Sequence, residues 1–206
     1  MMRFTTMKTK LRKYPSIFLI LLLAISSCFL TGCVNQHPKD SKKSSQGESV
    51  ETMLEITDPK EKQAVLNAKA KVKALSGNPR IVATSPAVAD ICDKLDLDLV
   101  GVPKSSVSKI PSRYKKVKKV GLAMSPDMEI VSSLNPDWIL APSSLETDLK
   151  PKFEELKNTE YAFLNLRSVQ GMYRSAQELG EIFGKQQEAE KMTKEFTTFY
   201  KSYTKR

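Results

Sequence analysis

The chain has 206 residues, of which 40% are hydrophobic and 27% are charged, and its formal net charge at pH 7 is +10. That length allows one sizeable hydrophobic core, or one domain with appendages. The single histidine, His37, lies in a polar N-terminal stretch, so a His-based catalytic triad and a multi-histidine metal site are excluded for the folded part. The chain also lacks both common glycine-rich phosphate loops.

The first 32 residues have the features of an export signal. A basic start is followed by an apolar run from Ile17 to Leu30, which is too short for a confident membrane span. Leu30-Thr31-Gly32-Cys33 resembles the bacterial lipobox, in which the cysteine is diacylated and becomes the new N-terminus. We therefore expect a signal peptide over residues 1–32 and a lipid anchor on Cys33. The alternative is an ordinary signal peptide with an incidental cysteine.

Signal cleavage changes the charge balance. It removes five of the 33 basic residues and none of the 23 acidic ones, which leaves a net charge of +5. This modest excess suits a protein near an anionic membrane surface and does not indicate nucleic-acid binding. We interpret the lysine run at 115–119 as a solvated loop. With Cys33 acylated, Cys92 is the only thiol left, so we expect no disulfide and a buried Cys92.

The mature chain divides into four segments. Residues 33–57 are mostly polar and predict a flexible tether. Residues 58–77 contain an amphipathic helix that Asp58-Pro59 opens. The compact domain begins near Arg80, within a lobe predicted over residues 78–184, and a last helix begins within residues 185–206.

Strands and helices alternate through the lobe. Apolar runs predict strands at Ile81–Ala83, 97–102, 138–141 and 161–166, and helical patterns follow Pro86 and cover 149–156, 169–183 and the chain from 186 onward. Between them, residues 120–140 read as a short β-segment, a turn opened by Ser-Pro, one helix, a turn at Asn-Pro and the strand at Trp138. Continuous apolar strands alternating with helices predict an α/β fold with a parallel sheet covered on both faces.

Met124 is unusual for its position. It lies where a loop is predicted to enter a helix, and small polar residues are more typical there. Its thioether is either a soft donor for a metal-containing ligand or a filler of an irregular gap beneath the loop. Asp127 and Glu129 follow it, but at a spacing of two they do not face each other as a general acid and base would. No nucleophile–base pair is found, so we expect a protein that is not an enzyme.

A longer pattern resembles a known family. It consists of Arg80-Ile81-Val82-Ala83-Thr84-Ser85-Pro86 and of Gly121-x4-Pro126-Asp127-x-Glu129-x4-Leu134-x-Pro136-Asp137-x-Ile139-Leu140. Together with the lipobox and tether, these motifs resemble class III substrate-binding proteins of ABC transporters, whose lobes are joined by a helical backbone and which carry ferric siderophores, cobalamin or heme. Within that class the chain looks most similar to the heme-binding lipoproteins of Isd-type uptake systems.

The resemblance implies roles for particular residues. A methionine of the N-terminal lobe is one axial ligand of heme iron in that family, and Met124 occupies its position. Thr84 and Ser85 precede a helix start that would hold the heme propionates, while an ordinary N-cap is the alternative role. Ser105 and Ser106 are further candidates for propionate binding. Glu129 stands where the family contacts permease arginines, and capping of its helix is the alternative.

The resemblance also implies an incomplete site. Arg206 falls inside the expected lobe-connecting helix, so the C-terminal lobe and its histidine ligand are expected to be missing from this chain. We therefore expect the N-terminal lobe of a monomeric, lipid-anchored heme-binding protein at the extracytoplasmic face of the membrane, serving an ABC permease. The alternatives are a siderophore or cobalamin carrier of the same class, or a lipid-anchored interaction module without a small ligand.

Overall fold

The computed structural model describes residues 54–204, and the expected signal peptide, Cys33 and most of the expected tether lie outside them. The helices are α1 (Pro59–Lys73), α2 (Pro86–Lys94), α3 (Met128–Ser133), α4 (Glu146–Glu154), α5 (Val169–Phe183) and α6 (Gln186–Thr204). The strands are β1 (Ile81–Ala83), β2 (Leu99–Val102), β3 (Lys118–Lys119), β4 (Gly121–Leu122), β5 (Ser125–Pro126), β6 (Trp138–Pro142) and β7 (Glu160–Leu164). Short 3₁₀ turns cover Ser112–Tyr114 and Ser143–Leu145.

A five-stranded parallel sheet in the order β3-β2-β1-β6-β7 forms the centre of the lobe. Its middle strands are buried on both faces, which is why they are continuous apolar runs in the sequence. In β1, Ile81 and Ala83 join one core cluster and Val82 joins the other. The first cluster lies under α1, α2, α5 and α6, and the second lies under α3 and α4. The predicted α/β fold with a doubly covered parallel sheet is confirmed.

Local chemistry explains where the helices begin and end. Ser85 caps α2 by accepting a hydrogen bond from Val88 N at 3.3 Å, and Ser168 caps α5 through Gly171 N at 3.0 Å. At the other end of α5, Gly184 adopts a left-handed conformation with φ of 71°. Serine at an N-cap and glycine after a C-terminus are strong boundary signals, so the predicted bounds of α5 are confirmed.

The structure differs from the sequence interpretation at the N-terminal side of the lobe. Val65 and Ala68 of α1 belong to the first core cluster, and Ile56 packs against it. The compact unit therefore begins before Arg80, and α1 is part of it. The C-terminal end of the segment interpreted as a tether is also packed, since Leu54 is buried.

Two short elements were not predicted. The lysine run at 115–119 ends in the edge strand β3, which pairs with β2, so it is not entirely a loop. Lysines at a sheet edge discourage pairing with another chain. The segment after it forms an antiparallel hairpin from β4 and β5, and α3 begins only at Met128.

Candidate ligand-binding edge of the sheet

The β4–β5 hairpin presents Met124 at its tip. Leu122 pairs with Ser125, so Ala123 and Met124 form the two-residue connection between the strands. The base of the hairpin is held by backbone hydrogen bonds, because Asp127 N donates to Val120 O at 2.7 Å and Lys104 N donates to Gly121 O at 2.6 Å. The second bond ties the hairpin to the loop that follows β2.

Gly121 makes this tight base feasible. Its φ is +97°, a region that residues with a side chain rarely adopt. A Cβ at this position would lie 2.9 Å from Asp127 N and 3.1 Å from Ser125 O, and both of these atoms belong to the backbone. The hairpin therefore depends on glycine for its conformation and for space.

Met124 does not fill a gap beneath the loop. Its side chain is 74% exposed, and Leu122 on the neighbouring strand is 60% exposed. The packing alternative for Met124 is therefore wrong. The thioether instead stands in solvent on a backbone that is held firmly at its base, which leaves it free to contact a ligand.

The other candidate residues follow strands whose carboxyl ends meet at one edge of the sheet. In open α/β sheets, ligands bind beyond that edge. Thr84 and Ser85 follow β1, and Ser105 and Ser106 belong to the loop after β2, the strand next to β1. The fold therefore brings the two predicted pairs to neighbouring positions.

The four hydroxyl residues differ in what their side chains already bond. Thr84 is 1% exposed and its hydroxyl donates to Leu140 O at 3.3 Å, which links β1 to β6. Ser85 is 6% exposed and its hydroxyl caps α2. Ser105 Oγ accepts from Ser108 N at 3.0 Å. Ser106 is exposed and is the most accessible of the four.

A depression of about 650 Å³ lies at the same edge, beyond the ends of β6 and β7. Its lining is polar and includes Lys150, Arg167, Glu146 and Asn165. Asn165 Oδ1 accepts from Arg167 N at 3.2 Å, which shapes the turn after β7. The sequence did not predict this cavity, because its residues come from the 3₁₀ turn after β6, from α4 and from the loop before α5, which the fold alone brings together.

Glu129 lies in the first turn of α3, directly after the hairpin. The N-cap of α3 is Asp127, whose carboxylate accepts from Ile130 N at 3.1 Å. Capping is therefore performed by Asp127, and Glu129 is exposed with no ion pair to another described residue. Its charge favours the positive end of the helix and is accessible to a partner.

The ionisable groups around the C-terminal end of α2, at the opposite edge of the sheet where β2 begins, are structural. Cys92 is fully buried, as predicted, and burial raises the pKa of its thiol to about 12. Arg113 bridges Asp96 at 2.7 Å and Asp98 at 2.8 Å, which ties the 3₁₀ turn to the segment between α2 and β2. Hydrogen bonds from Lys185 and Arg113 hold the pKa of Asp96 below its ordinary value.

Residues 54–204 offer neither a ready-made metal centre nor a membrane span. They contain no cluster of three or more His, Cys, Asp or Glu side chains arranged to hold a metal ion. None of the helices in the same range is long and apolar enough to cross a membrane.

Comparison with known proteins agrees with this architecture. The model of the periplasmic binding protein family matches residues 81–206, which is more than half of the chain. The chain belongs to this family. Its members are binding proteins, in keeping with the expectation that the chain is not an enzyme.

Several relatives resemble the chain more specifically. The high-affinity heme uptake system protein IsdE of Staphylococcus aureus (strain Newman) is 36% identical over 117 residues, which are 57% of this chain and 39% of that protein. An ABC transporter substrate-binding protein of Listeria monocytogenes EGD-e has 44% identity and a TM-score of 0.57, over 59% of this chain and 46% of the other. The S. aureus IsdE structure complexed with heme has 34% identity and a TM-score of 0.56, with the same coverage.

These comparisons identify the lobe as one of the class III type, and they concern only part of each relative. The chain spans less than half of the length of each of the three. The siderophore-binding protein BauB, whose structure holds acinetobactin and ferric iron, is also similar, with 25% identity and a TM-score of 0.51. The family therefore includes neighbours with different iron-containing ligands.

Proposed function

We propose that this chain is the N-terminal lobe of a lipid-anchored substrate-binding protein that binds heme and delivers it to an ABC permease. The observation that carries the proposal is the exposed thioether of Met124 at the tip of a braced hairpin, beside the exposed Leu122. A thioether is a soft, neutral ligand suited to heme iron, and Leu122 offers apolar surface to the porphyrin. Similarity to IsdE supports heme as the ligand.

The propionates of heme require hydrogen-bond donors at the same edge. Ser106 is proposed as a side-chain donor because it is exposed on the loop after β2. The start of α2 is proposed as the second anchor. Pro86 has no N–H, and Val88 N and Ala89 N are bonded to Ser85, so Ala87 supplies the free N–H of that first turn. Thr84 and Ser85 then act by shaping this helix start, since their own hydroxyls are buried.

A hemin titration tests the proposed ligand. Met124→Leu preserves apolar volume and removes the sulfur, so the variant should change both the ferric and the ferrous spectrum of the hemin complex. Affinity should fall much less, because burial of the porphyrin drives most of the binding. Since Met124 is exposed, its replacement should leave the melting temperature unchanged.

Met172→Leu is the matched control. Met172 packs against the first core cluster, so this variant removes a sulfur atom away from the proposed site. Its hemin spectrum should equal that of the wild type. Identical ferric and ferrous spectra for the wild type and Met124→Leu would overturn ligation by Met124, whereas absence of any Soret shift on adding hemin would overturn heme binding by the chain.

The proposed location depends on Cys33, and the proposed contact with the permease depends on Glu129. Acylated Cys33 would hold the protein at the extracytoplasmic face of the cell membrane, where two acyl chains give stable attachment. Glu129 would pair with an arginine of the permease, because it is exposed and Asp127 already caps α3. The protein is proposed to act as a monomer that contacts no nucleic acid.

A ferric siderophore is the second candidate ligand. Anionic chelates need cationic groups around them, and the cavity beyond β6 and β7 contains Lys150 and Arg167. The similarity to BauB supports the same candidate. Binding of ferric catecholate or carboxylate siderophores would favour this ligand over heme. That binding should then be lost in Arg167→Ala and unchanged in Met124→Leu.

A further inference from the structure

Three ionisable side chains meet in the interface between α1 and α5. Glu61 of α1 is 5% exposed and Glu178 of α5 is fully buried. Arg174, one turn before Glu178, makes an ion pair with Glu61 Oε2, and its Nε lies 3.9 Å from Glu178 Oε1. The two carboxyl groups are also within hydrogen-bonding reach of each other. Two acids thus share one arginine in the core.

This cluster contains every buried side-chain polar atom without a hydrogen-bond partner among residues 54–204. They are Glu61 Oε1, Arg174 Nε and both carboxyl oxygens of Glu178. Buried polar atoms are normally paired, so four unpaired atoms in one place require an explanation. Three of the four are oxygens, which can only accept when both acids are ionised. The fourth atom, Arg174 Nε, is a donor, but at 3.9 Å from Glu178 Oε1 it is too far away to bond to it, so the three oxygens have no donor within reach.

We propose that a proton bound between Glu178 and Glu61 is a structural component of the lobe and clasps α1 onto α5. Protonated Glu178 donates to Glu61 Oε1, and this single hydrogen bond pairs two of the four unpaired atoms. It also makes the cluster neutral, because Glu61 and Arg174 cancel. With both acids ionised, one uncompensated negative charge would be buried, which is strongly unfavourable.

The other charged groups of the interface do not supply the missing donor. One helical turn beyond Glu178 on α5, Glu181 pairs with Lys69 of α1 at 2.8 Å. Gln186 at the start of α6 also donates to Glu181, at 3.4 Å. Within the described residues, Glu61 and Arg174 are the charged groups that act on Glu178, and α6 and β7 contribute none.

The electrostatics agree with the geometry. Burial, followed by the hydrogen bond and the charge of Glu61, raises the pKa of Glu178 from 4.5 to about 8. When α1 detaches, Glu178 returns to its ordinary pKa, so the docked form binds the proton more tightly. Docking is therefore strongest below pH 4.5, weakens as pH rises to about 8, and is weakest above it. One linked proton changes the docking equilibrium by up to about tenfold per pH unit in that window.

Hydrogen exchange of the whole chain between pH 5 and 9 tests the clasp. Protection factors are compared, because the intrinsic exchange rate also depends on pH. In the wild type, protection of the α1 amides should fall by up to about tenfold per pH unit toward pH 8. Glu178→Gln replaces the acid by a permanent donor, so protection of α1 should become independent of pH.

Glu181→Gln is the matched control on the same helix, because it removes a surface ion pair and leaves the cluster intact. It should retain the slope of the wild type. A flat profile in the wild type, or the same slope in Glu178→Gln, would overturn the proposal.

Infrared spectroscopy of the wild type gives a second readout that does not depend on a variant folding. A protonated-carboxyl C=O band should be present at pH 7 and should disappear above pH 9. If no such band is observed at pH 7, Glu178 is ionised and the clasp does not exist. Glu61→Gln removes the acceptor anion and should move the α1 transition to lower pH, while an unchanged transition would count against the shared proton.

Discussion

Replacement of Gly121 by alanine should destabilise the lobe at the base of the hairpin. Two costs add at this position. The φ of +97° is unfavourable for a residue with a Cβ, which costs about 1–2 kcal/mol. The new Cβ would also lie 2.9 Å from Asp127 N, a backbone atom that cannot rotate away, and displacing it costs about 1–2 kcal/mol more. The free energy of unfolding should therefore fall by about 3 kcal/mol.

Two other glycines separate these costs. Gly184 has a φ of +71°, and a methyl group added there would meet nothing within 4 Å, so Gly184→Ala should cost only the conformational part, about 1 kcal/mol. Gly77 has open space and no positive φ, so Gly77→Ala should be close to neutral. Thermal denaturation followed by circular dichroism should rank the melting temperatures in that order. At about 2–4 °C per kcal/mol, the expected decreases are about 6–12 °C for Gly121 and about 2–4 °C for Gly184.

The hemin spectrum provides a second measurement on the same variants. Gly121→Ala can also relieve its strain by opening the hairpin locally. The melting temperature then decreases less than expected, but Met124 is displaced and the hemin spectrum changes. Gly184→Ala lies at the end of α5 and should retain the spectrum of the wild type. Should Gly121→Ala match Gly77→Ala in both measurements, the account of the hairpin base would be wrong.

Three further outcomes are expected. Cys33→Ala should release the protein from membranes or leave the uncleaved precursor. Cys28 lies inside the apolar run of the expected signal peptide, so Cys28→Ala should have neither effect, and fully processed Cys33→Ala in the membrane fraction would contradict the anchor. Glu129→Ala should weaken binding to permease vesicles at low salt by about 1 kcal/mol, roughly fivefold, with unchanged hemin binding, while Glu190→Ala on α6 should have no effect. The buried thiol of Cys92 should resist iodoacetamide in the folded protein below pH 9 and should react when the protein unfolds. Because the pKa of this thiol is about 12 in the folded protein and 9 ordinarily, the free energy of unfolding should decrease as pH rises from 9 to 12.

The sheet and its long helices could be predicted because their signals are local. The strands at Ile81–Ala83 and Trp138–Pro142 are continuous apolar runs, which a parallel strand buried on both faces requires. For α5, Ser168 and Gly184 mark both ends, and the bounds in the structure are those expected from the sequence. Burial of Cys92 followed from its apolar neighbours on α2.

The hairpin around Met124 could not be predicted because it lacks the usual signal. A two-residue hairpin connection usually contains Asn-Gly, Asp-Gly or a similar pair, whereas this one contains Ala123 and Met124. What holds it is the positive φ of Gly121 and the contact with the loop after β2, and neither is visible as a periodic pattern. The Glu61–Glu178 pair was missed for a related reason, since its partners belong to helices far apart in the chain.

Because Met124 is exposed, its proposed role in ligand binding can be tested by substitution without destabilising the fold. A buried methionine contributes to stability through burial of its side chain, so its replacement would confuse loss of a ligand with loss of packing. At 74% exposure, with Leu122 at 60% beside it, the hairpin tip contributes little burial to the lobe. The two large apolar side chains, one at the end of β4 and one on the connection after it, gain little from folding in these exposed positions. The proposed heme would cover both of them, and they lie at the edge of the parallel sheet beyond which open α/β folds bind ligands.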